Sequence, residues 1–126
     1  MLAWLHRYLE RVRERRIPYS DRFGVEMTQE GFRIIEKKTK QVLEELCWSD
    51  VVEIWTWKRD YFAYDQICLV FTVTSRQKMI EIEEGFDGFV DVMTGLCEQF
   101  PGIPETWYSD VMLPAFATKE TLLYRR

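Results

Sequence analysis

The sequence predicts an α+β fold: an N-terminal helix, one strongly curled antiparallel meander of about six strands, and C-terminal capping helices. Three observations lead there. Apolar residues recur at helical spacing near the start, the pattern then alternates with period two from about residue 23 to 84, and it returns to 3.6 after Gly85. The consecutive strands are joined by short polar breaks, which favours antiparallel neighbours, because parallel ones need long crossovers.

In the first element, Leu2, Leu5, Leu9 and Val12 fall on one helical face with Arg and Glu on the others. Pro18 ends it, since the residue before a proline avoids the helical region. Residues 1–17 are therefore read as a helix and 17–22 as a linker. Val25-Glu26-Met27 alternates, Gln29-Glu30-Gly31 turns, and Phe32-Arg33-Ile34 alternates again. Lys37-Lys38-Thr39-Lys40 breaks the pattern. Gln41 to Trp48 would also suit a helical turn through Val42, Leu43 and Leu46, but its position between strands assigns it as a strand. Val51 to Trp57 and Gln66 to Thr74 carry the β-branched and aromatic residues that fit a pleated sheet. Ile67, Leu69, Phe71 and Val73 would line one face. Ile80 and Ile82 point inward on the last strand, with Glu81 and Glu83 outward.

Beyond Gly85, Phe86, Phe89, Val90, Met93, Leu96, Cys97 and Phe100 share one stripe, and Pro101-Gly102 stops the helix. Gly88 and Gly95 suit close packing of that helix on a sheet. Pro104 opens a short second helix with Trp107, Tyr108 and Val111 inward, and Pro114 closes it. Residues 113–126 read as an irregular or extended tail. The 126 residues form a single domain with the regions 1–17, 23–84, 85–112 and 113–126.

The order of elements resembles the pleckstrin-homology-like barrel, in which a meander is capped by a C-terminal helix; the likeness covers roughly residues 23–100. More locally, the segments Lys58-Arg59-Asp60-Tyr61-Phe62-Ala63-Tyr64-Asp65-Gln66-Ile67-Cys68 and Pro114 to Arg126 resemble a family of small bacterial proteins with no established activity. That resemblance implies a bacterial origin and transfers no chemistry.

Composition excludes several functions. An apolar fraction of 47% and a charged fraction of 30% suit an ordinary globular protein. The net charge of −4 argues against nucleic acid, which needs clustered Lys and Arg. Charge is uneven: residues 1–22 hold six Arg against Glu10, Glu14 and Asp21, a balance of +3, which leaves −7 for the rest. No apolar run reaches the roughly 20 residues that span a bilayer, and His6, Arg7 and Glu10 interrupt any secretory leader. Cys47, Cys68 and Cys97 are odd in number and widely spaced among apolar neighbours, which points to reduced thiols and the cytoplasm.

Catalytic motifs are missing. The single histidine, His6, sits beside Arg7 and reads as a surface residue. No Cys-x-x-Cys pair offers a zinc site, and no cofactor is implied. Glu81, Glu83, Glu84 and Asp87 form an acidic cluster, but the last two suit the positive end of a helix. Gly85, Gly88 and Gly95 lack the Lys-Ser/Thr pair of a phosphate loop.

Candidate recognition residues concentrate at the hairpin between the two firmest strands: Trp55, Trp57, Lys58, Arg59, Asp60, Tyr61, Tyr64 and Asp65. Aromatic residues and Arg are the types enriched at interaction hot spots. The same residues would also serve structurally if the rings closed an open barrel end and the acids paired with Arg59, Arg125 or Arg126. These features predict a noncatalytic protein-binding module of the immunity or antitoxin type, with a protein partner and no metal. The alternative is a peripheral membrane or lipid-headgroup-binding domain using residues 1–16. An enzyme would have to use Asp60 or Asp65 with Tyr61 or Tyr64. Oligomeric state is not encoded in any of these patterns.

Overall fold

The computed structural model describes residues 19–60, 65–74, 78–112 and 120–126. Among the described residues, seven strands and two helices follow in chain order: β1 Phe23–Met27, β2 Gly31–Glu36, β3 Val42–Cys47, β4 Val51–Asp60, β5 Asp65–Val73, β6 Lys78–Glu83, α1 Phe89–Gln99, α2 Trp107–Met112 and β7 Thr121–Arg125. Short 3-10 turns occupy Tyr19–Arg22 and Trp48–Asp50. The N-terminal helix expected over residues 1–17 lies outside the described residues.

The strands form two sheets, not one curled meander. β1-β2-β3 make a three-stranded sheet, and β6-β5-β4-β7 a four-stranded one. All named pairs are antiparallel, but β3 and β4 do not pair. This overturns the expectation of a single strongly curled sheet closing as a barrel. The cause lies at Trp48–Asp50. A period-two pattern can run on through a connection, but here the chain makes a 3-10 turn that buries Trp48. Its ring meets Phe32 of β2 at 5.5 Å, Phe71 of β5 at 6.2 Å and Phe100 at 5.8 Å between centroids. Burying that indole sends the chain from one sheet to the other, and its rings pack at the tilted or edge angles such pairs prefer.

The two inner faces share one core with α1. Phe32, Ile34, Ile54, Ile67, Leu69, Phe71, Val73, Ile80 and Ile82 contribute from the sheets. Helix α1 presents Phe89, Val92 and Leu96, all buried, whereas Val90 is 70% exposed. The helical stripe is thus centred one residue away from the expected one. It also starts three residues later, because Gly88 adopts φ +86° at the N-cap. There a β-carbon would lie 2.2 Å from the Val25 carbonyl oxygen. The same close approach lets Val25 N donate to Asp87 O at 2.6 Å and makes the isolated parallel bridge between Gly24 and Asp87. Gly95 fulfils the packing role expected of it, since a β-carbon would stand 2.9 Å from Met27 Cε and 3.3 Å from Trp48 Cζ2.

The C-terminal end is a strand paired into the second sheet, which corrects the expectation of an irregular or extended tail outside the sheet. β7 pairs with β4 through Glu53↔Arg125, Ile54↔Tyr124, Trp55↔Leu122 and Thr56↔Thr121, with a bulge at Ile54/Trp55. β4 would otherwise leave a long edge of open backbone groups, a template for aggregation. Tyr124 closes over Phe100 at 4.4 Å. Among the described residues, no helix is long and apolar enough to cross a membrane.

Candidate functional site

Of the eight residues singled out in the sequence, the five whose side chains are described do not share one face. Asp60 takes part in β4 through its backbone, and Tyr61 and Tyr64 lie outside the described residues. The others are divided by strand alternation. β4 runs to Asp60, so Ile54, Thr56 and Lys58 face inward and are almost fully buried, whereas Trp55, Trp57 and Arg59 face outward and are half-buried.

The outward face of the four-stranded sheet can be built from its register. Trp55 stands between Leu122 of β7 and Val70 of β5, and Val70 pairs in turn with Glu81 of β6. One row along, Trp57 pairs with Cys68, which pairs with Glu83. Arg59 Nη1 donates to Glu83 Oε1 at 3.1 Å and Nη2 to Glu81 Oε1 at 2.5 Å. Its guanidinium is thereby held across β5 by two carboxylates, the forked geometry that suits Arg better than Lys. Trp55 Nε1 donates to Glu53 Oε2 at 2.9 Å, and Arg125 Nε donates to Glu53 Oε1 at 3.0 Å. The indole hydrogen bond, followed by the arginine, holds the Glu53 carboxyl below its usual range. Of the hairpin acids, Asp65 lies beside Lys58, with Oδ2 3.7 Å from its ammonium, and the side chain of Asp60 lies outside the described residues. Arg59 and Arg125 serve Glu81, Glu83 and Glu53, and Arg126 donates to the Ser49 carbonyl at 2.5 Å.

Cys68 and Val70 sit in the middle of this face and are completely buried. Burial, then the charge of Glu83, pushes the Cys68 thiol far above its ordinary range, so it is no nucleophile. Cys47 and Cys97, expected in core positions, are only half-buried. Cys68 Sγ, Glu81 and Glu83 place possible metal-ligand atoms within 4.8 Å of one another. Arg59 already supplies the positive charge to both carboxylates, an arrangement that disfavours a cation in the same place.

A second constellation lies on the inward side, where β4, β5 and α2 meet. A cavity of about 470 Å³ is lined there by Lys58, Asp65, Ile67, Glu84, Tyr108 and Met112, among others. Lys58 is 2% exposed; its ammonium donates to the Met112 carbonyl at 2.7 Å and lies 3.7 Å from Asp65 Oδ2. Glu84 Oε1 accepts from the Ile67 amide at 2.9 Å, and Oε2 accepts from the Tyr108 hydroxyl at 2.5 Å. Burial first, then the hydrogen bond to Glu84 and its charge, push the Tyr108 phenol up to about 12. Tyr108 is thus a donor that stays protonated at neutral pH.

Glu84 and Tyr108 were missed as a pair. They are 24 residues apart, and the sequence pattern places each separately, Glu84 in an acidic cluster before a helix and Tyr108 on an inward helical face. Comparison with known proteins returns no matching family model, no matching curated protein and no matching solved structure.

Proposed function

We propose that the protein is a noncatalytic protein-binding module of the bacterial immunity or antitoxin type, acting through the outward face of its four-stranded sheet. One observation carries the reading: Trp55 and Trp57 project from the same side of β4, half-buried, beside an Arg59 already oriented by Glu81 and Glu83. Rigid aromatic rings and a pre-organised arginine contribute binding area at low entropic cost. Leu122, 37% exposed, extends the apolar strip onto β7.

The partner expected is a protein with a basic surface. The chain carries a net charge of −4, and the same face holds Glu53, bonded to the Trp55 indole, and Glu81, in the register row of Trp55. Such complementarity raises association rates and excludes acidic competitors.

Affinity capture with the tagged full chain, followed by calorimetry on the partner recovered, tests this. Trp57→Ala and Arg59→Ala should each weaken the complex by about 1–3 kcal/mol, roughly 5- to 150-fold in Kd. Wild-type affinity in both variants, with folding retained, refutes the assignment of this face. Circular dichroism supplies the folding control.

A further inference from the structure

The cavity between β4, β5 and α2 has no part in the binding face. Its volume of about 470 Å³ lies within the range of small-molecule sites, roughly 300–1,000 Å³. Ile67, Met112 and the Tyr108 ring give it apolar walls, and its charged groups are unequally placed. The ammonium of Lys58 is 2% exposed and directed at the Met112 carbonyl and Asp65. The half-buried Glu84 keeps acceptor capacity: each of its oxygens takes one donor, the Ile67 amide or the Tyr108 hydroxyl, and a carboxylate oxygen accepts two. Two carboxylates against one sequestered ammonium disfavour an anion and favour a cation.

We propose that this cavity binds a small organic amine, with its ammonium on Glu84 and its apolar body against Ile67, Met112 and the ring of Tyr108. Glu84 is pre-positioned by its two donors, so binding requires no reorganisation of the carboxylate. Lys58 and Asp65 close the inner end as an ion pair, which keeps the net charge of the wall negative.

Three probes of similar size and different charge test the proposal by calorimetry and protein-observed NMR: phenethylamine, 2-phenylethanol and 3-phenylpropanoate. Phenethylamine should bind saturably and at least about tenfold tighter than the alcohol, because its ammonium makes a charge-assisted bond. The carboxylate should not bind. Glu84→Gln should abolish the preference for amine over alcohol. Ser109→Trp, at an exposed position on the cavity wall, should block all binding without lowering Tm, which keeps the test open if the Glu84 variant misfolds. Three results each overturn the proposal: no saturable phenethylamine binding, equal affinity for the alcohol, or wild-type binding by Ser109→Trp. None of these variants touches Trp57 or Arg59, so failure here is distinguishable from failure of the protein-binding face.

Discussion

Removing the ammonium of Lys58 should destabilise the fold more than any other single charge deletion on β4. The side chain is 2% exposed, donates to the Met112 carbonyl at 2.7 Å and lies 3.7 Å from Asp65 Oδ2. Lys58→Met keeps the aliphatic stem and deletes the charge. It deprives a carbonyl of a charged donor, worth about 1.5–3 kcal/mol. It also takes the cation away from a largely buried carboxylate, and breaking such a pair costs about 3–5 kcal/mol when both partners are fully buried. The Asp65 side chain retains 19% exposure, so water offsets part of that cost, and a total of about 3 kcal/mol is expected. In urea, with a slope of about 1–3 kcal/mol per molar, the midpoint should fall by about 1–3 M. Lys58→Met combined with Asp65→Leu should recover more than half of the loss, because the carboxylate then no longer stands opposite an apolar residue. A loss below about 0.5 kcal/mol for the single variant, or a larger loss for the double, would refute the reasoning.

Three further outcomes are expected. Gly88→Ala should cost about 2–4 kcal/mol in thermal unfolding, since φ is +86° and the new methyl meets the Val25 carbonyl at 2.2 Å; Gly102→Ala, with open space around it, should stay within about 0.5 kcal/mol and serves as the control. Tyr108, raised to about 12, keeps its proton more tightly in the fold than in the unfolded chain. Its contribution is therefore complete below about pH 10 and is lost as pH rises towards 12. A phenolate absorbance titration should show a late phase that Tyr108→Phe removes. Cys68 should resist thiol labelling in the native protein while Cys47 and Cys97 react, as read by mass spectrometry of labelled peptides; labelling of Cys68 at the same rate contradicts its burial and raised pKa.

The strands were legible because side-chain alternation is local. Ile67, Leu69, Phe71 and Val73 announce the inner face of β5, and Ile80 and Ile82 that of β6, and all are buried. The apolar pattern of β4 ends at Trp57 because Lys58-Arg59-Asp60 is charged, so the sequence groups an inward lysine and an outward arginine into one tip although the strand runs on to Asp60. Extending the alternation by three residues separates them. Glu83 lies on the outward face, yet Arg59 across β5 leaves it 5% exposed. That pairing depends on register, which no short segment reveals.

From its sequence alone, the chain determined the extended segments between residues 23 and 83, the two helices after Gly85, and which side of most of those strands turns away from water. Those choices follow from hydrophobic period and turn chemistry within a few residues. Tertiary structure alone decided that the strands divide into two sheets, that Thr121–Arg125 completes the second, and that Glu84 meets Tyr108 beside Lys58. Backbone pairing is nearly indifferent to side-chain identity. Partners are therefore selected by the burial of the whole core, here around Phe32, Trp48, Phe71 and Phe100, and not by any motif within the strands themselves.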